Sequence, residues 1–497
     1  MPSSPQQHVP DRGVMYGLAF LLILAPLPLA SNRTWAIAPL LGIATLLVIV
    51  AVLLWRHQWW RALERLWQFR WPIAALAAYA LFVHFQTLPL PESWVALLSP
   101  KAYAIQRVVA EQNPGFAFRL SVDPYHTQLY ANLSTLYLTV FVLAILVLRH
   151  RHRIERFAEV MMWSGVAQAV IAIVLLAYEV KYRLFFTEIH HVQAIGTFVN
   201  RNHLAGYLEL SLAIGIGLML ARLGRDTVPA PNWQQKMLSV LRFVLSKKMR
   251  LRLWLIVMVV ALVLTRSRMG NTAFFASLLV VGAVALLLAR RMAPVTVALV
   301  TSLIVIDIAI VGAWIGVDKV VERLQQTTLL AVDHVADRLD SENGQRATSP
   351  PPAKGQSLEE RVMPARFAFP LVRDFLWFGS GGGTFYVTFS QYRPPEIDAY
   401  FDHAHNDYIE IVADTGLFGA GLLASFALLT VIASLRILAK AADDWSRGIA
   451  FGVLMAWLAL AIHGTVDFNL QIPANALTLV AISAIGWSLS GVAKKHV

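Results

Sequence analysis

The sequence predicts an all-α, polytopic membrane protein. Of its 497 residues, 57% are hydrophobic and only 14% are charged, which is outside the range of ordinary soluble domains. Long apolar runs recur along the chain, and short segments rich in Lys and Arg separate them on alternate sides. The formal charge of +12 therefore indicates membrane topology and attraction to membrane lipids, not nucleic-acid binding. The absence of cysteine excludes disulfides, thiolate metal sites and cysteine catalysis.

Twelve of these apolar runs are predicted to span the membrane, because about 20 residues cross the hydrocarbon core. The first run, from Val14 to Ala30, lacks the basic start of a signal peptide and is expected to be retained. Lys/Arg clusters place both chain ends inside, and the opposite, Lys/Arg-poor side is the outer side. The predicted spans are 14–30, 35–55, 71–88, 130–148, 157–178, 203–221, 252–265, 272–289, 294–315, 416–435, 448–463 and 474–491.

One outer loop, about 316–415, is far larger than the others. Its low-complexity hinge is predicted to be disordered. The loop closes at the foot of the tenth span. It is predicted to contain, in order, an amphipathic helix from Val317 to Leu339, the hinge at 341–356, a second helix at about 357–375, a glycine-rich turn at 377–385, and the segment His403-Ala404-His405-Asn406-Asp407-Tyr408.

Two arginines on the outer side break the charge rule. Arg266 and Arg268 follow an apolar run, Leu253 to Thr265, of only 13 residues. So short a run is expected to bring the arginines to the outer membrane boundary. A charge there costs about 2.5 kcal/mol or more and needs a partner or a function. Phosphate is the natural partner of a guanidinium, which favours a phosphate-bearing ligand.

The large loop adds further cations to the same side. Arg366 and Arg373 are seven residues apart, so they share one helical face, and Arg361 lies on the same predicted helix. A set of arginines suits a lipid diphosphate, because each guanidinium can hold two phosphate oxygens. The alternative is that these arginines only solvate a helix face.

The histidines that close the loop permit three interpretations. Either His403 or His405 could remove a hydroxyl proton at ambient pH. With Asp402 and Asp407 they could form a metal site, although the spacing fits no defined zinc pattern. Alternatively, Asn406 or Asp407 could cap the tenth span.

Amide and imidazole groups at the outer end of the sixth span suit sugar hydroxyls. Asn202 and His203 are the candidates, and the alternative is that Asn200 or Asn202 caps the helix. Two acidic residues inside spans, Asp307 and Glu209, could serve as proton relays of a transporter, or could pair with a neighbouring helix.

These segments together resemble the O-antigen ligase/polymerase superfamily, over about residues 190–475. No single motif carries the resemblance, but the order of the motifs and their common outer side do. The resembling segments are Arg266-Ser267-Arg268 after a short span, the Arg366 helix before a glycine-rich turn, His403 to Tyr408 before Thr415 to Gly419, Phe198 to Tyr207, and His463 to Asn469.

The resemblance implies a GT-C-like helical glycosyltransferase of the bacterial inner membrane. It would take a glycan from undecaprenyl diphosphate at the periplasmic face, with inversion and without a metal or another cofactor. The acceptor would be lipid A-core for a ligase or a lipid-linked glycan for a polymerase. The chain would then divide into an N-terminal transmembrane region, 1–189, and a catalytic membrane region, 190–491, that includes the loop at 316–415.

The resemblance and the residue chemistry together predict the roles of the site residues. His405 is the predicted catalytic base. Arg268 and Arg366 are predicted to bind the diphosphate, and Arg266 is an extra charge beside them. The remaining residues predicted to bind substrate are Asn202, His203, Arg373, His403 and Asn406. The alternatives are a protein O-glycosylation ligase, which differs only in its acceptor, and a transporter of a polysaccharide precursor or a small anion.

Overall fold

The computed structural model describes residues 11–178, 180, 193–223, 247–288, 358–394 and 401–493. Within these ranges every regular element is a helix, so the all-α prediction is confirmed for the described residues. The predicted helix at Val317 to Leu339, the hinge at 341–356 and the predicted span at 294–315 lie outside them.

Seventeen α-helices are described. The first eight are α1 Arg12–Leu24, α2 Thr34–Trp55, α3 Trp59–Gln68, α4 Arg70–Phe85, α5 Glu92–Leu98, α6 Pro100–Ala110, α7 Pro124–Val147 and α8 Arg151–Ala177. The others are α9 Arg201–Leu223, α10 Lys247–Leu264, α11 Arg268–Leu288, α12 Leu358–Phe367, α13 Phe369–Asp374, α14 Phe385–Thr388, α15 Asp407–Lys440, α16 Asp444–His463 and α17 Pro473–Ala493.

Among the described residues, 8 helices are long and apolar enough to cross a membrane, or up to 9 if the bent pair α3–α4 forms one span. The predicted count of twelve is therefore not confirmed. The helix α1 has only 13 residues and is shorter than the predicted span 14–30. The helix α10 has 18 residues and begins before the apolar run. Its first turns hold the basic residues Lys247, Lys248, Arg250 and Arg252.

Contacts between distant segments agree with the predicted alternation of sides. At the inner end, Arg153 donates to both carboxylate oxygens of Asp11 at 2.7 and 2.8 Å. The guanidinium of Arg151 lies 4.4 Å from the ring centroid of Trp445. These residues belong to segments that the charge rule places inside. The polar contacts described below join segments that it places outside.

The helix α9 is the centre of the described bundle, because its whole membrane span is buried. It packs backbone to backbone against α16. A Cβ atom at Gly448 would lie 2.4 Å from the backbone nitrogen of Ala221, and one at Gly217 would lie 2.8 Å from the carbonyl oxygen of Gly448. Glycine permits this approach, as at many membrane helix interfaces. The two antiparallel helices thereby bring the start of α9 beside the end of α16.

A kink divides the 34-residue helix α15 at Gly416, which has φ 65° and ψ −178°. The glycine-rich turn braces this kink. The backbone N–H of Gly383 donates to the Asp414 carboxylate at 2.8 Å, and that of Gly381 donates to the Asp414 carbonyl at 2.9 Å. A Cβ atom at Gly416 would lie 2.3 Å from the backbone of Trp377. Glycine is therefore required here both for its positive φ and for the close approach.

The second loop helix differs from the prediction. It is divided at Ala368 into α12 and α13, so the spacing of Arg366 and Arg373 does not by itself fix a common face. The helix α12 also contains Pro364, which lacks a backbone donor. Pro370, near the start of α13, stands where the missing N–H is tolerated.

Candidate active site

The start of α9 supplies two buried donors. The side chain of Asn200 accepts the backbone N–H of Asn202 at 2.9 Å, so Asn200 caps this helix. The side chain of Asn202 instead donates to the carboxylate of Asp467 at 2.6 Å. The Nε2 atom of His203 lies 3.5 Å from the same carboxylate. The predicted pair Asn202 and His203 thus meets at a buried acid rather than at the surface.

The histidine segment, residues 403–407, is fixed at the start of α15. The Asn406 side chain accepts the backbone N–H of Ile409 at 3.0 Å, which confirms the capping alternative for this residue. It also donates to the carbonyl of Thr465 at 2.8 Å. The backbone N–H of Asp407 donates to the carbonyl of Gly464 at 2.9 Å. The segment is therefore tied to the connection between α16 and α17.

Phe468 is the centre of the histidine cluster. The ring of His403 stacks on it at 3.9 Å between centroids, with an interplanar angle of 15°. His203 and His405 meet it edge-on, at 4.6 and 5.0 Å. The cluster therefore joins three parts of the chain that lie far apart in sequence.

His405 has a strained backbone and an acidic neighbour. Its φ is 49°, in the left-handed region that few non-glycine residues adopt. Its Nδ1 atom lies 4.0 Å from an Asp467 oxygen, and only 8% of the residue is exposed. Burial would raise the pKa of Asp467, but hydrogen bonding to His203 and the nearby histidine charges hold that pKa well below its usual range. Asp467 is therefore a fixed negative charge beside His405.

His403 has a different partner. Its Nδ1 atom lies 2.6 Å from Glu410, whose second carboxylate oxygen accepts the backbone N–H of Ala404 at 2.8 Å. Burial alone would lower the pKa of His403, but the charge and hydrogen bond of Glu410 outweigh it and raise the pKa to about 9. His403 is therefore protonated near neutral pH.

The arginine turn, residues 265–270, connects α10 to α11. Arg266 has φ 53°, and the Ser267 hydroxyl accepts the backbone N–H of Gly270 at 3.1 Å, which caps α11. The side chains of Arg266 and Arg268 are exposed, and neither forms an ion pair with any other residue that the structure describes. A Cβ atom at Gly270 would lie 2.6 Å from the Cβ of Ala205. Ala205 is two residues after His203 in α9, so this contact places the arginine turn close to His203.

The loop arginines lie on a different part of the chain from the arginine turn. Arg366 and Arg373 are both exposed. Behind them, Ala368 and Leu371 belong to an apolar cluster that also includes Ala404, the residue between the two loop histidines. This cluster ties the Arg366 helix to the histidine segment. Asp374, next to Arg373, lies 3.6 Å from Lys101. The side chain of Arg361 lies outside the described residues.

The acidic residues of the metal and transport alternatives have other partners. The carboxylate of Asp407 accepts the backbone N–H of Leu470 at 3.1 and 3.2 Å. Where side chains are described, no group of three or more His, Cys, Asp or Glu residues could hold a metal ion. Glu209 lies 2.8 Å from the Nδ1 of His463, as the helix-pairing alternative predicts. Asp307 lies outside the described residues.

Sequence reasoning missed Asp467, Phe468 and Glu410 as site residues. Asp467 and Phe468 stand in the segment His463 to Asn469, which carries part of the family resemblance, so that segment could have directed attention to them. Nothing in the sequence around Glu410 indicated a functional role. Its carboxylate meets His403 because the first turn of α15 brings position 410 close to residue 403.

The fold and the site define a helical membrane protein with a buried histidine–carboxylate cluster at one end of its bundle. Beside the cluster lie exposed arginines that form no ion pair with another described residue. Residues 253–424 match the family model described as O-antigen ligase, and this match supports the predicted resemblance over that range. It contains Arg268, Arg366 and His405, and it supports a membrane glycan transferase of the ligase or polymerase type. No curated protein matches the sequence. The predicted division at residues 189 and 190 stays a prediction.

Proposed function

We propose that the protein is an inverting glycosyltransferase of the bacterial inner membrane that uses an undecaprenyl-diphosphate-linked glycan at the periplasmic face. The observation that carries the proposal is the position of His405. It stands beside Asp467, at the same end of the bundle as an arginine turn whose guanidinium groups have no described protein partner. A base and a set of free cations are the two requirements of metal-independent transfer from a diphosphate.

In the proposed reaction, the acceptor hydroxyl gives its proton to His405. Its oxygen forms a bond with the anomeric carbon while the bond from that carbon to the diphosphate oxygen breaks. The electron pair leaves with undecaprenyl diphosphate, whose growing charge Arg268 and Arg366 stabilise, with Arg266 beside them. Electrostatic stabilisation of this kind is usually the largest catalytic contribution.

The two loop histidines are suited to different tasks. The raised pKa of His403, about 9, keeps it protonated, so it is a poor base at neutral pH and a good hydrogen-bond donor to the substrate. His405 has Asp467 at 4.0 Å, where the carboxylate would stabilise the imidazolium that forms. Asn202, His203 and Asn406 hold this carboxylate and its segment in place, so they act on the substrate through the cluster. Arg373 is proposed to contact the glycan from the loop.

The experiment is transfer by purified protein in proteoliposomes, with a polyprenyl-diphosphate-linked glycan as donor. Lipid A-core, a second lipid-linked glycan and an acceptor peptide are offered separately, and the product identifies a ligase, a polymerase or a protein O-glycosylation ligase. Activity is expected to survive EDTA. Inactivation that a divalent ion reverses would restore the metal alternative. Movement of the donor across the membrane with no new glycosidic bond would favour the transporter.

The sidedness of the site is tested by cysteine labelling in intact spheroplasts, because the chain has no cysteine of its own. An impermeant thiol reagent should label Arg266→Cys, which is exposed at the arginine turn. It should not label Gln58→Cys at the other end of the bundle. The opposite pattern would place the site in the cytoplasm and contradict a periplasmic reaction.

A further inference from the structure

The short helix α3 makes a sharp angle with the spanning helix that follows it. It lies between the inner ends of α2 and α4, and it makes an angle of 92° with α4. None of its residues is buried. A helix at a right angle to a spanning helix cannot run through the membrane beside it, so α3 runs across the inner end of the bundle.

The surface of α3 is divided into an apolar face and a polar face. Trp59, Leu63 and Trp67 are four residues apart and share one face, where they are 58%, 52% and 69% exposed. Trp60 adjoins this face and is also exposed. The exposed Arg61 and Gln68 lie on the polar face, and Glu64 lies between the two faces. Three exposed indoles on one short helix are an apolar surface that this chain does not cover.

A third side of α3 attaches it to the bundle. The Nε of Arg65 donates to the carbonyl of Ile145 at 2.7 Å, and one terminal nitrogen donates to the carbonyl of Leu148 at 3.1 Å. These carbonyls are at the C-terminal end of α7, where helices leave acceptors unpaired. Ala62 and Leu66 pack against the apolar core. This attachment fixes the rotation of α3 and keeps its tryptophans directed away from the protein.

We propose that α3 lies in the inner membrane–water interface, with its tryptophan face among the acyl chains and with Arg56, Arg61 and Arg70 on anionic phospholipid headgroups. Tryptophan is enriched at this depth, and a helix with one apolar and one basic face lies in the plane of the interface. The segment 56–70 has four arginines against one glutamate, which suits an anionic surface. The guanidinium of Arg70 lies 5.0 and 5.3 Å from the rings of Trp67 and Trp71, so this cation sits at the level of the indoles.

The depth of α3 is tested by single labels in the cysteine-free chain. Leu63→Cys and the matched control Gln68→Cys, each carrying an environment-sensitive fluorophore, are reconstituted in nanodiscs. Brominated acyl chains should quench the label at position 63 several times more strongly than the label at 68. Aqueous iodide should give the reverse order. Equal quenching of both labels by iodide would place α3 in water, and protection of position 63 from both quenchers would mean that protein covers it. Either result overturns the proposal.

The headgroup contact is tested by thermal melting in detergent with added phosphatidylglycerol or phosphatidylcholine. The triple variant Arg56→Gln, Arg61→Gln and Arg70→Gln should need more phosphatidylglycerol for a half-maximal shift, by roughly fivefold for each arginine removed. The control changes three exposed arginines away from this end of the bundle, Arg33→Gln, Arg107→Gln and Arg393→Gln, and should keep the wild-type dependence. An unchanged response in the first triple variant, or an equal loss in the control, would overturn the proposal. Neither outcome depends on glycan transfer, so this test is independent of the proposed function.

Discussion

The arginine turn and the histidine segment have similar backbones and opposite environments. Each leads into a membrane helix, α11 or α15, and each has a left-handed residue, Arg266 at φ 53° or His405 at φ 49°. Each is capped by a side chain, Ser267 or Asn406. Yet the arginines of the turn are exposed and form no ion pair within the part of the chain that the structure describes, whereas His405 is buried beside a carboxylate.

The difference separates two chemical requirements. A charged ligand that arrives from the membrane needs cations that are accessible and not already paired. Proton transfer needs a base whose position and charge environment are fixed in advance. Both segments have the same local structure, a capped helix start next to a residue with positive φ. The residues that surround each segment determine whether its side chains are exposed cations or a buried base beside a carboxylate.

The largest expected effect is that of His405→Ala. If His405 is the base, transfer should fall by about 10²–10⁴-fold while the donor still binds. The assay is the initial transfer rate together with donor affinity. His84→Ala is the matched control, because His84 lies at the outer end of α4 with Thr135 at 2.9 Å and is absent from the cluster. Equal activity of both variants would assign the base elsewhere, and His203 would be examined next.

The arginine turn should respond differently. Arg268→Ala should lower transfer by about 10²–10³-fold, the usual cost of one donor to a developing negative charge. Arg268→Lys should retain only part of the activity, since an ammonium lacks the fork that holds two oxygens. Unlike His405→Ala, both changes should weaken donor affinity. Arg107→Lys, on a surface pair with Glu111, serves as the control. Near-normal transfer by Arg268→Ala would remove Arg268 from the site.

The packing of the turn gives a third, smaller effect. Gly270→Ala would place a methyl group 2.6 Å from the Cβ of Ala205 and 3.2 Å from the Glu209 carboxylate. Overpacking of this kind costs about 1–3 kcal/mol and should move the arginines. Melting temperature and transfer rate should both fall. Gly421→Ala, where nothing lies within 4 Å of the added atom, should leave both nearly unchanged. Equal tolerance at the two positions would mean that the turn moves freely on α9.

The smallest expected effect concerns pH and His403. Its pKa is about 9 in the folded protein against 6.5 for the free side chain. The pair with Glu410 therefore stabilises the fold fully below about pH 6.5, and the contribution is lost as pH rises through about 9. Asp402 and Asp414 act in the same direction as Glu410. The melting temperature should fall with rising alkalinity by a few degrees more in the wild type than in His403→Gln. Parallel curves would show that the pair contributes nothing.

Much of the fold could be predicted because the bilayer imposes strong rules on a sequence. Apolar runs and Lys/Arg asymmetry located most helices, and the Asn406 cap followed from residue type and position. Helix lengths were less accurate. The helix α10 extends through basic residues that a search for apolar runs excludes, because long cationic side chains can reach the headgroups from a helix end.

The sequence predicted individual residues of the candidate site, but it did not predict the contacts that bring them together. An arginine after a short apolar run and a histidine before a helix start are local features, so the sequence singled out Arg268 and the histidine segment. The family resemblance then favoured His405 over His403. The environment of His405 depends on Asp467, which lies about 60 residues further along the chain. One sequence carries no record of which distant residues meet. The division of the loop helix at Ala368 was missed because Pro364 and Pro370 were not weighed against the helical pattern.

The kink at Gly416 has a mechanical consequence. The nine residues before it, 407–415, are held to the turn at 464–467 and to the glycine-rich turn, while residues 417–440 form the longer, mostly apolar part of the helix. The kink is held by backbone contacts to neighbouring segments and interrupts the continuous hydrogen bonding of the helix. Tilting of residues 417–440 therefore need not rotate residues 407–415. We therefore expect the geometry around His405 to be insensitive to bilayer thickness. The reaction centre would then be isolated from the elastic deformation of the membrane that contains it.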